Sequence, residues 1–427
     1  MDPAPPDLAD GAAGDPVTPL LRPADGVPDL ISTPVDLDSA AAALAAGTGP
    51  VALDAERASG FRYSSRAYLV QLRRAGAGSF LIDPIPSTVG SASGTSGAMT
   101  ALAAALDGPQ WVLHAANQDL PCLAELGLVP ATLFDTELAG RLLGHDRVGL
   151  AAIVEEVLGL GLKKGHGAAD WSTRPLPEDW LNYAALDVEV LLELRDALVA
   201  ELDEQDKTEW ARQEFEHVRL APAPAAKPER WRRTSGIHSL RRPRQLAAVR
   251  ELWRTRDEVA AERDVAPGRV LPDSAITAAV LADPVDEVAL TALPVFGGRM
   301  QRRRARTWLG ALQRARALPD DQLPPTAAPH DGPPPANRWA DRDPDAHARL
   351  TAARAVLTAT SGAHRVPVEN LLLPDLLRRT CWTPPEQLDT DGVDAALTAG
   401  GARPWQRELL ARDLALALRA SGPSSDT

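Results

Sequence analysis

The chain has 427 residues, of which 44% are apolar, and this length is sufficient for two or three domains with buried cores. Its two cysteines, Cys122 and Cys381, are far apart, which argues against a disulfide framework or a thiolate zinc site and indicates a reducing compartment. The acidic, proline-rich start MDPAPPDLADGAAGDP does not resemble a secretory signal, and no apolar run of about 18 residues occurs, so we expect a cytoplasmic protein without membrane contact.

Charge is unevenly distributed along the chain. The formal net charge of −13 argues against a nucleic-acid partner, but residues 227–318 contain 19 Lys and Arg against 10 Asp and Glu, a net of +9, which leaves −22 for the remainder. A basic nucleic-acid-binding module attached to a carboxylate-rich catalytic domain would give this distribution. A solvated basic helical face explains the charge alone equally well.

Proline-rich segments divide the chain into three compact regions. The first mixes strand and helix patterns, and the other two are helical in pattern. The predicted boundaries are 1–28 for a disordered N-terminal tail, 29–220 for the first domain, 221–230 for a linker, 231–318 for the second domain, 319–340 for a proline-rich linker, 341–420 for the third domain and 421–427 for a second tail.

The first domain is predicted to hold a mixed sheet covered by helices. GPVALDAE is a short apolar strand, AYLVQLRR and SFLIDPI form a hairpin across the turn-like AGAG, and WVLHA is a fourth strand. Adjacent early strands followed by segments of helical spacing, such as DWLNYAALDVEVLLELRDALVAEL, are typical of this layered arrangement. The second and third domains each open with a long helix followed by a short Val/Pro element, which indicates distant repeats of one helical module.

The first acidic segment is the strand Val51-Ala-Leu-Asp54-Ala-Glu56. Residues i and i+2 of a strand point to the same face, so Asp54 and Glu56 project together. Two adjacent carboxylates repel each other unless a cation lies between them. Oxygen ligands without nearby Cys or His favour Mg²⁺ or Mn²⁺ over Zn²⁺. The alternative for this pair alone is an exposed strand end with two solvated acids.

Two further segments carry candidate catalytic residues. Asp119 follows the predicted strand WVLH and falls in the first turn of a helix, where acids also commonly complement the helix dipole. Tyr183 and Asp187 are four residues apart in a predicted helix and therefore share a face. Each segment alone is a weak signal, and the order of all three is the stronger one.

Taken together, the segments resemble the tyrosine-bearing subgroup of the DEDD superfamily of 3′→5′ exonucleases, and within it the ribonuclease D family. The phrases that carry the resemblance are ALDAE, YLVQLRR, FLIDPI, VLHAANQDL, LFDTELAGRLLG, DWSTRPL and YAALDVEVLLEL, which cover most of residues 51–198. The resemblance implies an α/β + α fold class, with a ribonuclease H-like mixed-sheet exonuclease domain followed by two all-helical HRDC-type domains.

The resemblance also implies a role for each residue that matches the family pattern. Asp54, Glu56, Asp119 and Asp187 match the four acids that hold two divalent ions, Mg²⁺ or Mn²⁺, which can stabilise the attacking and leaving oxygens of an in-line displacement. Tyr183 matches the tyrosine that positions the attacking water or helps to deprotonate it. The implied product is a nucleoside 5′-monophosphate released from the 3′ end.

Several nearby residues are candidates for support or for RNA contact. Asp135 is expected to support the fold rather than bind metal, and Trp171 to be a core residue rather than a stacking platform. His166, in the loop that precedes Trp171, contacts the RNA backbone or is an ordinary solvated side chain of that loop. The predicted nucleic-acid contacts near the acids are His114, Asn117, Lys163 and Lys164. A structural role is the favoured alternative for His114, and the two lysines are alternatively solvated charges of a loop.

Residues 231–318 resemble the HRDC domain that follows the nuclease in ribonuclease D. Its arginine cluster follows Gly297-Gly298 at a predicted helix start, where both the arginines and the helix N-terminus suit phosphate. The segment VFGGRMQRRRAR is richer in arginine than the family pattern, so its binding surface is expected to differ. The predicted RNA-contact arginines are Arg299, Arg302, Arg303, Arg304 and Arg306.

The function predicted from these motifs is metal-dependent 3′→5′ trimming of single-stranded RNA ends, of tRNA precursors above all, by a monomer that needs no small-molecule cofactor. A DNA 3′→5′ exonuclease is one alternative, because the attacked phosphodiester is the same and only recognition of the 2′-OH separates the two. A non-catalytic RNA-binding scaffold is another, although all four acids and the tyrosine are present.

Overall fold

A computed structural model describes residues 17–88, 97–163, 165–222, 228–327 and 332–421. The described chain forms a first domain with a mixed sheet and two all-helical domains, which confirms the predicted α/β + α class. None of its helices has both the length and the apolar character that crossing a membrane requires.

The first domain is built on a six-stranded sheet. The strands in chain order are β1 (Thr18–Leu20), β2 (Leu30–Ile31), β3 (Thr48–Arg57), β4 (Ala67–Ala75), β5 (Gly78–Ile82), β6 (Gln110–Leu113), β7 (Thr132–Asp135) and β8 (Leu160–Leu162). The order in the main sheet is β2-β5-β4-β3-β6-β7, with β1 and β8 pairing separately in parallel. The predicted hairpin is β4–β5, antiparallel, and β3 lies in the centre between antiparallel β4 and parallel β6.

Helices cover this sheet and bury its apolar strands. They are α1 (Pro34–Ala46), α2 (Ile85–Thr88), α3 (Gly97–Leu106), α4 (Leu120–Glu125), α5 (Thr136–Leu143), α6 (Leu150–Leu158), α7 (Glu178–Glu189), α8 (Leu191–Glu204) and α9 (Thr208–Arg219). The long helical pattern DWLNYAALDVEVLLELRDALVAEL divides at Val190 into α7 and α8. Trp111 of β6 is fully buried in the resulting core, where its indole donates to the carbonyl of Leu106.

The two helical domains share a series of elements, a 21-residue helix followed by a four-residue helix and a helix of nine or ten residues. The second contains α10 (Pro243–Arg263), α11 (Pro267–Val270), α12 (Asp273–Ala282), α13 (Glu287–Thr291), α14 (Arg299–Arg302) and α15 (Ala305–Ala317). The third contains α16 (Trp339–Arg342), α17 (Pro344–His364), α18 (Val368–Leu371), α19 (Pro374–Trp382), α20 (Thr390–Ala399) and α21 (Pro404–Ala420). Both long helices, α10 and α17, have 21 residues and end at a left-handed residue, Asp264 or Arg365.

Two predicted boundaries need correction. Within the predicted tail 1–28, residues 17–28 are described and packed: β1 pairs with β8, and the amide of Ala24 donates to Glu189 at 3.0 Å. Within the predicted linker 319–340, Trp339 is fully buried and already belongs to the third domain. Proline and acidic content suggested disorder in both places, whereas backbone pairing and one large apolar side chain order them. Residues 1–16, residues 223–227 of the linker 221–230, and residues 422–427 lie outside the described residues.

Both helical domains dock on the first domain. At the third-domain interface, Trp210 stacks on Trp405 at 4.9 Å, and Glu214 forms a bidentate ion pair with Arg403. The second domain contacts the segment that follows β3, where the amide of Ala266 donates to the carbonyl of Phe61 at 2.9 Å. The second domain therefore docks beside the end of β3, and the third domain docks on helix α9.

Candidate active site

The three acidic segments meet at one cavity of about 470 Å³ in the first domain. β3, the turn after β6 and helix α7 each contribute one side of it, which explains why residues up to 133 positions apart come together. The charged and polar residues that line it are Asp54, Glu56, Arg57, His114, Gln118, Asp119, Lys163, Tyr183 and Asp187.

Strand β3 presents Asp54 and Glu56 on the same side, as their spacing predicts. The carboxylate oxygens of Asp54, Glu56 and Asp187 lie within 4.8 Å of one another, a spacing suited to a shared cation. Gln71 lies opposite Asp54 in the register of β4, is fully buried, and donates from Nε2 to the Asp54 carboxylate at 3.3 Å. The phrase YLVQLRR therefore contributes a side chain that holds one of the acids in place.

Asp119 is positioned by the turn that leaves β6. Asp135, at the end of β7, accepts from the amides of Ala115 and Ala116 at 3.1 and 2.8 Å, and also caps α5 through Glu137. Ala115 has a left-handed backbone with φ 56°, which a non-glycine residue adopts only under such constraint. The buried carboxylate of Asp135 thus supports the fold next to the site, in line with its expected role.

Helix α7 carries Tyr183 and Asp187 on one face, and their side chains are hydrogen-bonded to each other. Residues 165–171 pack over the tyrosine. A Cβ on Gly165 would lie 3.0 Å from the Tyr183 ring, so only glycine allows this close approach. The imidazole of His166 meets the edge of the same ring at a centroid distance of 5.8 Å. Tyr183 is therefore fixed at the cavity wall.

Burial and mutual repulsion raise the pKa of every acid in the group. Burial and the charges of Asp54, Asp187 and Asp119 raise the pKa of Glu56 to about 10. Burial and the charge of Asp54 raise the pKa of Asp119 to about 8, and burial raises that of Asp54 to about 6. Four crowded carboxylates of this kind need protons or cations, and oxygen donors alone fit hard divalent ions. The donor set therefore suits the predicted ions.

The predicted RNA contacts near the acids are only partly brought to the cavity. His114 lines it and bonds Thr136 through Nδ1 at 2.9 Å, while burial lowers its pKa to about 4, so that the ring is neutral. Lys163 lines the cavity and is exposed. Asn117 is exposed but does not line the cavity, where its neighbour Gln118 lies instead. Lys164 falls outside the described residues.

Trp171, expected to be a core residue, is fully buried and donates to the carbonyl of His166 at 3.2 Å. The predicted arginine cluster lies away from the acids, on α14 and the start of α15. Arg299, Arg302, Arg303 and Arg306 are exposed and Arg304 is half-buried. Gln301 of the same helix donates to the carbonyl of Val270 at 2.6 Å, so α14 sits beside α11, which contacts the first domain.

Arg57 was missed by the sequence analysis. Strand alternation places it on the face opposite to Glu56, but the pairing of β3 with β4 shifts between Glu56 and Arg57, where Tyr68 is an extra residue on β4. Residues 54–57 of β3 all line the cavity, and the Arg57 guanidinium reaches the Asp119 carboxylate at 3.6 Å. Nothing in the local pattern VALDAERASG marks such a shift in pairing, so the sequence carried no signal for it.

The chain also matches known protein families in all three domains. Residues 28–203 match the family described as 3′-5′ exonuclease, residues 245–312 match the HRDC domain, and residues 332–418 match a 3′ to 5′ exonuclease C-terminal domain. Ribonuclease D of Nitrobacter hamburgensis is 30% identical over 312 residues, which are 72% of this chain and 75% of that protein. The chain belongs to the ribonuclease D family.

Solved structures agree with this membership. The crystal structure of a Bifidobacterium adolescentis protein is 38% identical, with a TM-score of 0.85, over 94% of this chain and 99% of that one. Escherichia coli RNase D, described as an exoribonuclease involved in structured RNA processing, is 26% identical with a TM-score of 0.65, over 92% of this chain and 99% of that one. This ribonuclease D-type chain is a 3′→5′ exoribonuclease with a nuclease domain and HRDC-type helical domains.

Proposed function

We propose that Asp54, Glu56, Asp119 and Asp187 bind two divalent cations, Mg²⁺ or Mn²⁺, and that with Tyr183 they hydrolyse the last phosphodiester at the 3′ end of single-stranded RNA. The product is a nucleoside 5′-monophosphate. The observation that carries this proposal is the crowding of buried carboxylates, three of which have oxygens within 4.8 Å of one another. Such an arrangement is costly to a fold unless cations are bound there.

The ligand set favours Mg²⁺ or Mn²⁺. It consists of carboxylates, and the nearby His114 ring already bonds Thr136 through Nδ1. Bound divalent ions would supply a nucleophile at neutral pH and stabilise charge on the attacking and leaving oxygens. Two neighbouring side chains contact the acids. Gln71 donates a hydrogen bond to Asp54, and Arg57 places its positive charge beside Asp119.

Tyr183 orients the attacking water rather than taking its proton. Burial, together with the charges of Asp187 and Glu56, raises the pKa of its hydroxyl well above the usual value, so the phenol stays protonated at neutral pH. A protonated phenol can donate and accept hydrogen bonds but is a poor base. Its hydrogen bond to Asp187 and the packing of residues 165–171 fix its direction.

The substrate we propose is the single-stranded 3′ end of a structured RNA, with tRNA precursors as the main class, and the enzyme acts as a monomer. A cavity of about 470 Å³ falls in the range that takes one small ligand-sized unit, which suits removal of one nucleotide at a time. The description of the Escherichia coli relative as acting in structured RNA processing supports the same class.

A 5′-labelled RNA hairpin with a single-stranded 3′ overhang tests the proposal. With Mg²⁺ or Mn²⁺ we expect a ladder that shortens from the 3′ end, with no product in EDTA and none with Asp187→Asn. Asp196→Asn is the matched control, since Asp196 is an exposed acid on the neighbouring helix α8. Equal cleavage of the matching DNA would favour a DNA exonuclease, and tight RNA binding without cleavage under either metal would favour a scaffold.

A further inference from the structure

Arg57 is a cation within the group of catalytic acids. Of the arginines in the described ranges, it is the one that lines the catalytic cavity. It follows Glu56 directly at the end of β3, and its guanidinium lies beside the Asp119 carboxylate.

The guanidinium of Arg57 is weakly held where it lies. Its one ion pair within the described chain is with Asp119, at 3.6 Å between Nη2 and Oδ1, which is longer than a hydrogen bond. The side chain is 29% exposed, against 8% for Asp119. A guanidinium has five N–H donors in a fixed fork, and those of Arg57 remain available to a ligand in the cavity.

The positive charge of Arg57 becomes available to the substrate once the four acids bind metal ions. Four ionised carboxylates and two divalent ions cancel, so Arg57 leaves the loaded site with a positive charge that faces the singly charged phosphodiester. Bound cations would also repel the guanidinium and neutralise part of the Asp119 charge that attracts it. Arginine suits a phosphate better than lysine does, because its planar fork matches two phosphate oxygens.

The backbone around Arg57 is held firmly, so only the side chain has to move. The carbonyl of Ala58 accepts from the amides of Phe61 and Arg62 at 3.0 and 2.9 Å, which closes the turn after β3. The carbonyl of Phe61 accepts from Ala266 of the second domain, and that of Gly60 from Arg269 at 2.8 Å. The Arg57 guanidinium can therefore change position while the backbone of the turn after β3 stays in place.

On the basis of the proposed function, we propose that Arg57 is a substrate-binding residue of the metal-loaded site. Its guanidinium leaves Asp119 and binds the non-bridging oxygens of the scissile phosphate. There it stabilises the negative charge that those oxygens carry in the transition state, as an arginine does in other phosphoryl-transfer enzymes.

The test compares Arg57→Met and Arg57→Lys with wild type, and uses Arg212→Met as control because Arg212 is an exposed arginine paired with Glu209 on α9. In single-turnover assays we expect Arg57→Met to lower the rate constant by roughly 100-fold, the effect of losing one transition-state donor. The slope of log Kd against log salt should fall by about 0.7, the value of one phosphate contact on a single strand. Arg57→Lys should keep the salt slope but recover the rate only in part.

A modified substrate distinguishes phosphate binding by Arg57 from a role of Arg57 in positioning Asp119. An RNA whose last linkage is a neutral methylphosphonate should inhibit wild type and Arg57→Met with equal Ki, because the contact is already lost. Mn²⁺ binding measured by calorimetry without RNA should be no weaker in Arg57→Met. Weaker Mn²⁺ binding with activity restored at high Mn²⁺, or an unequal Ki, would overturn the proposal.

Failure of the metal site itself gives a different result. Asp187→Asn that still binds Mn²⁺ and cleaves RNA would refute the proposed function, whatever Arg57→Met does. A normal rate and salt slope in Arg57→Met, with Asp187→Asn inactive, would refute only the role of Arg57.

Discussion

Asp264 of the second domain is the residue through which we expect this domain to stabilise the catalytic site. It caps α10, and its carboxylate accepts from the amide of Ser64 at 2.9 Å, from Arg66 at 3.3 Å and from the hydroxyl of Tyr68 at 3.4 Å. All three donors lie just beyond Arg57 in the chain, on the β3–β4 connection and the start of β4. Asp264→Ala should therefore loosen this connection without touching the acids.

The magnitude follows from these contacts. A hydrogen bond from an amide to a carboxylate contributes about 1.5–3 kcal/mol when buried. The Asp264 side chain is 30% exposed, and the exposed pair with Arg66 adds little, so the loss should be about 1–2 kcal/mol. Asp264 has φ 46°, and alanine in a left-handed position adds a backbone penalty. Asp283→Ala carries the same penalty, because Asp283 caps α12 with φ 45° and pairs with Arg316 inside the second domain.

Amide hydrogen exchange measures the difference between the two variants. Since about 1.4 kcal/mol corresponds to tenfold, amides of residues 61–66 should exchange roughly 5- to 30-fold faster in Asp264→Ala than in Asp283→Ala. Cleavage of the RNA overhang should likewise be slower in Asp264→Ala than in Asp283→Ala. Identical exchange of this segment in the two variants would refute the reasoning, since other contacts would then hold the β3–β4 connection.

Three further outcomes are expected. Glu56, with a pKa of about 10, and most of Asp119, with a pKa of about 8, carry a proton at pH 7 in the cation-free protein. Mn²⁺ binding should therefore release protons, and its affinity should rise by up to about tenfold per proton for each pH unit. Calorimetry in buffers of different protonation enthalpy would count the released protons, and a count of zero would contradict this expectation. Glu214→Ala should lower the free energy of unfolding by about 3–5 kcal/mol in denaturant titrations, because it leaves the largely buried Arg403 without its carboxylate partner. Glu209→Ala, which breaks an exposed pair, should lower it by under about 1 kcal/mol. Equal losses in the two variants would contradict a buried pair between Glu214 and Arg403. Asp135→Asn should slow cleavage and weaken Mn²⁺ binding at constant fold by circular dichroism. Ala115 and Ala116 donate to different oxygens of Asp135, and asparagine keeps only one acceptor oxygen, so its NH₂ group would face one of the two amides. Unchanged Mn²⁺ binding would show that other contacts position Asp119.

Much of the candidate site could be predicted because each of its parts is local. Asp54 and Glu56 share a face through the period of two in a strand, and Tyr183 and Asp187 through the turn of a helix. The order of the segments, rather than any single one, identified the family. The sheet followed from the same patterns, with β4 and β5 forming the expected hairpin.

What the sequence did not predict depends on pairing between distant segments. The N-terminal residues 17–28 are proline-rich, yet β1 is ordered by hydrogen bonds to β8, about 140 residues later. Arg57 reaches Asp119 at a change of register between β3 and β4 that no local pattern marks. The long helical pattern that spans α7 and α8 shows no break in periodicity at Val190, where the structure divides it.

The net charge of −13 wrongly argued against a nucleic-acid partner, because it sums an acidic catalytic domain and a basic domain that the fold keeps apart. An acid cluster that attracts divalent ions repels RNA until those ions arrive, so a nuclease of this type needs positive charge near the site but outside the ligand set. Residues 227–318 provide a net of +9, and this domain holds the turn after Arg57 through Arg269 and Ala266. Under the proposed function, attraction of the RNA and placement of Arg57 in the cavity would both depend on this one docked domain, which would account for a basic domain at the end of β3.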